Sequence, residues 1–173
     1  MQIEANGIRM HYEIAGPKDA PTVMFSHSLG SSGVMWNTEF AALKERYRVV
    51  RYDTRGHGGT EATPGAYSLD QLGDDAMALM DALNLGPVHW VGLSMGGMIG
   101  QNIALREPQR FRSLSLCDTS SRVPEEARAM WDDRIAAADD KGMTALVEGT
   151  MQRWFTPDYL RSDPPAVAPI RAQ

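Results

Sequence analysis

Along the chain, short apolar runs alternate with amphipathic stretches. Gln2–Ala5 and residues 8–14 are extended runs on either side of Asn6-Gly7, the dipeptide best suited to the two positive φ angles of a type I′ hairpin turn. After a Gly/Pro-rich loop at 16–21, Thr22–Ser26 (TVMFS) is apolar, too short for a helix, and predicts a buried strand. Residues 36–46 carry Trp36, Phe40 and Leu43 at helical spacing, 47–52 (YRVVRY) predict a strand, and 53–65 form a Gly-rich loop. Ser68-Leu69-Asp70-Gln71 is a capping box opening a helix with Leu72, Ala76, Leu79, Met80 and Leu83 on its apolar side, stopped by Gly86-Pro87. Residues 88–92 predict a strand, 94–106 a helix ended by Pro108, and 113–117 (SLSLC) a strand.

Strands separated by helices of 10–15 residues predict βαβ units. The fold class is therefore α/β, a mostly parallel sheet with helices on both faces. In such a sheet the loops after Ser26, Tyr52, Gly92 and Cys117 open onto the same edge, at the C-terminal ends of the strands. After Thr119 the pattern changes. Two helical stretches, 125–138 and 143–155, follow without a strand, the second with Met143, Leu146, Val147, Met151 and Trp154 on one face. Residues 1–121 thus read as the core and 122–173 as part of a helical cap whose apolar face leans on the mouth of the site.

Gly92-Leu93-Ser94-Met95-Gly96 fits G-x-S-x-G, a weak signal by itself that gains weight from its context. It ends an apolar strand and starts a helix, as a nucleophile elbow requires, which makes Ser94 the candidate nucleophile. Gly96, Gly100 and Ala104 recur every four residues, a bare stripe that lets the helix press on the sheet, and each Gly costs about 0.5–1 kcal/mol relative to Ala in a helix. His27-Ser28-Leu29-Gly30 follows the first buried strand, where this architecture supplies one oxyanion N–H while the residue after the nucleophile supplies the other. Leu29 and Met95 are the candidate donors. His27 either builds this loop or caps the strand end, and is not the expected base. In the next loop, Asp53 and Arg55 are expected to pair and lock the chain, with His57 near the mouth. Asp118 is either an acid of the site or a turn former.

The segments SHSLGSSGVMW, YDTRGHGGT and VGLSMGGMIGQ, in this order and spacing, resemble the 3-oxoadipate enol-lactonases of aromatic catabolism, within the α/β-hydrolase superfamily. LCDTSSR and QRWFTPDYLR resemble that family's approach to the cap and the cap itself. The resemblance spans essentially the whole chain. It implies an acyl-enzyme on Ser94, with Leu29 and Met95 as oxyanion donors, Trp131 as a cap residue facing the substrate, and no metal or organic cofactor. A carboxylesterase or a cofactor-free perhydrolase would use the same machinery. The family continues past the cap into two more strands that carry the triad acid and then the catalytic His. This chain stops inside the cap, and its histidines are His11, His27, His57 and His89, all before Ser94. The triad is thus expected to be incomplete, and the chain by itself inactive, prone to self-association, or one part of an assembly with a complementing C-terminal segment.

Composition narrows the function classes. With 173 residues, 43% hydrophobic, there is material for one domain with a real core. The net charge of −5 comes from 22 acidic and 17 basic residues well interspersed, so there is no basic stripe for nucleic acid. No run is long enough to span a membrane, and the N-terminus has no signal-peptide pattern. Cys117 is the only cysteine, which makes an internal disulfide impossible and a cytoplasmic location the expectation. The expected partner is a small lactone or ester.

Overall fold

A computed structural model describes Met1–Gln173, in two compact units, Met1–Ser121 and Arg122–Gln173. The first is built on a six-stranded sheet of order β1-β2-β4-β3-β5-β6. Strands β1 (Gln2–Ala5) and β2 (Ile8–Ala15) form the expected hairpin, with Asn6 at φ 49° and Gly7 at φ 73°. β2 lies antiparallel to β4 (Arg48–Tyr52), while β4, β3 (Thr22–Ser26), β5 (Val88–Leu93) and β6 (Phe111–Cys117) run parallel. All five residues of β3 are buried, because it has a strand on either side and a covered layer above and below.

Between the strands lie α1 (Asn37–Leu43), α2 (Leu69–Ala82) and α3 (Met95–Arg106). Met10, Met24, Val50, Tyr52 and Trp90 of the sheet close a core with Leu79 and Met80 of α2 and Ile99 and Ile103 of α3. On the other face, Val23, Phe25 and Val49 pack with Trp36 and, from α1, Phe40 and Leu43, and the Phe25 and Trp36 rings stack at 4.7 Å. The chain passes from β3 outward to β4, then crosses back over β3 to β5. Its direction therefore reverses between β3 and β5, the place where open α/β sheets form a crevice. Ser26 and Gly92 are register partners there, so the loops that follow them leave the sheet at the same level.

Local chemistry explains where the elements begin and end. The Ser68 hydroxyl accepts from the Gln71 N–H, the N-cap half of the capping box, and starts α2. Residues 36–46 are not one helix. A 3₁₀ turn at Gly33–Trp36, capped by Ser32, precedes α1, and the Arg46 and Tyr47 amides both bond the Leu43 carbonyl, turning the chain into β4. Gly100 sits against the Trp90 indole, where a Cβ would collide with the ring, so the bare stripe of α3 is filled by strand side chains.

The second unit holds α4 (Arg128–Lys141), α5 (Val147–Trp154), α6 (Pro157–Arg161) and α7 (Val167–Arg171). Residues 125–127 and 143–146 are 3₁₀ turns leading into α4 and α5. On the expected apolar face Met151 is buried and Met143 is exposed. α6 is not foreshadowed by the apolar pattern. Its signal is local, a Thr156 cap accepting from the Tyr159 N–H with Pro157 in the first turn. No helix is long and apolar enough to cross a membrane.

β6 is the last strand of the sheet and has no strand on its outer side. Ser113, Ser115 and Leu116 are exposed on it, with no Lys or Pro to discourage pairing. Sedimentation of the purified chain is therefore expected to depend on concentration, and Ser115→Lys to move it toward monomer. An unchanged distribution in that variant would locate the association elsewhere.

Candidate active site

Nothing separates β5 from α3 except Ser94, so one residue must turn the chain from strand to helix. Ser94 does so at φ 52°, ψ −114°, a conformation costing an L-residue on the order of 1–3 kcal/mol. The surroundings enforce it. A Cβ on Gly92 would strike the Gly96 carbonyl, and one on Gly96 would strike the Ser26 carbonyl, so only two glycines allow this approach. The Ser94 N–H donates to the Cys117 carbonyl at 2.9 Å, and its own carbonyl accepts from Gly97 N–H, Met98 N–H and Thr119 Oγ1, the last at 2.7 Å. A serine at a helix N-cap ordinarily spends its hydroxyl on the second or third amide of the helix. At these backbone angles it cannot, and the Ser94 Oγ has no protein hydrogen bond.

Two amides face the same need for an acceptor. The Met95 N–H opens α3 and has no intrahelical partner, and the partial positive charge of the helix N-terminus adds to it. The Leu29 N–H lies in the turn Ser28–Ser31, closed by the Ser31 amide on the Ser28 carbonyl at 3.3 Å, and it too has no acceptor within the chain.

His27 is wholly buried at the start of that turn. Its Nδ1 donates to the Ser28 carbonyl at 2.8 Å, and its Nε2 accepts from the Thr54 N–H at 2.9 Å. Both nitrogens are occupied, which fixes a neutral imidazole protonated at Nδ1. Burial drives its pKa down to about 4, partly opposed by the Ser28 carbonyl. His57 is also held neutral. It accepts from the Gly30 N–H at Nε2 (3.2 Å), contacts the Arg55 carbonyl and Thr54 Oγ1 through Nδ1, and has its pKa lowered by burial.

Asp53 and Arg55 do not pair with each other, contrary to expectation. Asp53 accepts from the Gly33 N–H (2.7 Å), the Gly59 N–H (2.8 Å) and His11 Nδ1 (2.9 Å). It thereby ties its own loop to the 3₁₀ turn and to β2. Arg55 makes a bidentate bond to Asp75 of α2, which the Asn6 amide also reaches at 2.6 Å. The chain turns at Arg55-Gly56, and each charge finds its partner across the fold. Asp118 is exposed at φ 42°, directly after β6 and between the two residues that hold the Ser94 backbone. His89 contacts the Ser113 hydroxyl at 2.8 Å, low on β5. Trp131 belongs to the second unit, on α4, with the Arg134 guanidinium stacked 4.6 Å over its ring. No three His, Cys, Asp or Glu side chains converge as a metal set would.

The comparison with known proteins agrees with this architecture. The model of the alpha/beta hydrolase fold matches residues 21–159. The chain belongs to the α/β-hydrolase family. It is 36% identical to 3-oxoadipate enol-lactonase 2 of Acinetobacter baylyi over 95% of its own length and 61% of that protein's. It is 35% identical to a putative carbamate hydrolase, RutD, of Agrobacterium fabrum over 80% of this chain and 54% of the other. The enol-lactonase structure from Burkholderia xenovorans superposes with a TM-score of 0.93 at 40% identity, covering 99% of this chain and 66% of that one. The chain thus spans about three-fifths of the length of the enol-lactonases it matches.

Two residues of this α/β-hydrolase site escaped the sequence reading. Thr119 holds the Ser94 carbonyl and packs where a Cβ on Gly97 would go. Asp75 is the buried counter-ion of Arg55, and it does leave a trace, since it stands between Leu72 and Leu79 on the buried side of α2. With side chains 1% and 6% exposed, the Asp75–Arg55 pair cannot lose one partner cheaply. Asp75→Ala is expected to cost about 3–5 kcal/mol in urea denaturation, because it strands a buried guanidinium.

The depressed pKa of His27 gives stability a definite pH slope. Above about 6.5 the imidazole is neutral in both folded and unfolded chains. As pH falls from there toward 4, only the unfolded chain takes up the proton, and folding loses on the order of 3 kcal/mol. Urea midpoints measured across this window should fall with acid, and more shallowly in His27→Gln. Identical slopes in the two proteins would assign the acid sensitivity to another group.

Proposed function

We propose that this chain carries the nucleophile and oxyanion hole of an ester- or lactone-cleaving serine hydrolase. The observation that supports it most directly is Ser94, held at φ 52° with its hydroxyl unbonded and followed by the open Met95 amide at the start of α3. Ser94 Oγ attacks the carbonyl carbon, and the N–H groups of Leu29 and Met95 hold the oxyanion of the tetrahedral intermediate. Collapse expels the ring or alkoxy oxygen and leaves an acyl-Ser94, which water then hydrolyses. This route requires no metal or organic cofactor. An enol-lactone, 3-oxoadipate enol-lactone in particular, is the substrate favoured by the sequence resemblance and by the names of the similar proteins.

The Ser94 proton needs a base, and none of the four histidines fills that role. His27 and His57 have both nitrogens engaged. His11 is on β2, three strand positions from β5 and so about 14 Å away. His89 lies five residues before Ser94 on β5, about 16 Å along the strand. In the resembled family the catalytic His follows the cap, and there it would take the proton.

The test uses the 173-residue chain with a fluorophosphonate probe and added imidazole as a substitute base. Imidazole is expected to accelerate labelling at a single residue, Ser94, identified by mass spectrometry and lost in Ser94→Ala. Labelling that survives this substitution would overturn the assignment. Without imidazole, turnover of a chromogenic ester should be about 10⁶-fold below that of a complete triad enzyme, leaving only the contribution of the oxyanion hole and binding.

A further inference from the structure

The contacts around His27 and His57 run in one direction. The Gly30 N–H donates to His57 Nε2 at 3.2 Å. That occupies Nε2 as an acceptor, so the ring proton is on Nδ1, which faces Thr54 Oγ1 at 3.2 Å and the Arg55 carbonyl at 3.1 Å. The Thr54 hydroxyl points onward to His27 Nε2 at 3.1 Å, which also takes the Thr54 N–H. His27 then donates from Nδ1 to the Ser28 carbonyl. The carbonyl of Ser28 and the N–H of Leu29 belong to one peptide group, and no peptide bond in the chain is cis. Because a trans peptide is planar, holding its oxygen fixes the opposite direction of its hydrogen.

We propose that His57 is a positioning residue for the oxyanion hole, working through Thr54 and His27 to aim and polarise the Leu29 N–H. The proposal rests on the reading of Leu29 as an oxyanion donor. Two consecutive peptides of the turn are gripped, one by each imidazole. The loop after β3 reaches across with His27, and the loop after β4 reaches back with His57, their ring centres 5.2 Å apart. Each bond in the series strengthens the next, from the exposed Gly30 end to the buried His27 end, and the last of them pulls electron density from the Leu29 amide. Only one arrangement of protons satisfies every member. A proton added to His57 Nε2 would face the Gly30 N–H, and one added to His27 Nε2 would face the Thr54 N–H. The titratable groups facing His57 are His27 and Asp53. The Asp53 charge favours protonation, and burial, which outweighs it, opposes it.

The test has one readout independent of chemistry and one that depends on it. By NMR, the Gly30 amide of the wild-type chain should shift with acid and show slowed hydrogen exchange at neutral pH. His57→Gln, whose side-chain oxygen can still accept from Gly30, should keep the protection and lose the titration. His57→Phe should lose both. Imidazole-assisted phosphonylation of Ser94 should fall by roughly 10- to 100-fold in His57→Phe, less than the 10²–10³ of removing an oxyanion donor outright, and recover substantially in His57→Gln. The ratio of wild-type to His57→Gln labelling should decline in acid together with the Gly30 shift, the protonation of imidazole cancelling in the ratio. A Gly30 amide indifferent to acid in the wild-type chain overturns the proposal even if His57→Phe fails to fold. So does a folded His57→Phe that labels at the wild-type rate. Failure of wild-type Ser94 to label, while Gly30 still tracks His57, would sink the serine reading and with it the catalytic meaning of the brace, leaving the brace itself as a structural finding.

Discussion

The geometry at the sheet edge depends on one close approach, that of the first turn of α3 to the backbone of β3. Gly96 lies against the Ser26 carbonyl and Gly92 lies beneath Gly96, with no room for a methyl group at either point. At that separation the chain has a single residue in which to change from strand to helix. The strain at Ser94, its unspent hydroxyl and the open amide of Met95 all follow. A helix set one methyl group further away would allow an ordinary connection, and with it an ordinary N-cap serine.

Charge is arranged around this point with equal economy. The buried ion pair is Arg55 with Asp75, and the Asp53 carboxylate is held by His11 and two amides. The groups proposed to hold charge at Ser94 are N–H dipoles, and the His27 and His57 imidazoles are kept neutral by burial and by their bonds. A fixed positive charge there would stabilise the hydroxyl's conjugate base and also any resting anion. Dipoles held by a rigid frame act chiefly on charge that develops during reaction.

The sequence displayed the features that depend on local backbone demands. Asn6-Gly7 announced its turn, Ser68 its helix, and Gly92 and Gly96 the elbow, because each residue type answers a steric or hydrogen-bonding need within a few positions. The partners of buried polar groups were less visible. Arg55 and Asp75 are twenty residues apart, and nothing near Asp53 indicated that Arg55 would turn away from it. His57 could be placed near the mouth by its loop, whereas its acceptor role depends on which amide of another loop comes within reach. α6 was missed because its start is set by Thr156 and Pro157, two polar and turn-forming residues, and no apolar stripe announces it.

The bond from Asn6 to Asp75 has a consequence for how the molecule opens. The tip of the first hairpin would ordinarily be among the earliest parts of a chain to fray. Here it is fastened to the carboxylate that anchors Arg55, and Arg55 belongs to the loop that grips the turn after β3. Detaching the hairpin strips a hydrogen bond from a buried ion pair. The hairpin and the loops at the mouth of the sheet therefore belong to one cooperative unit, and slow breathing at the amino terminus is shared with the neighbourhood of Ser94.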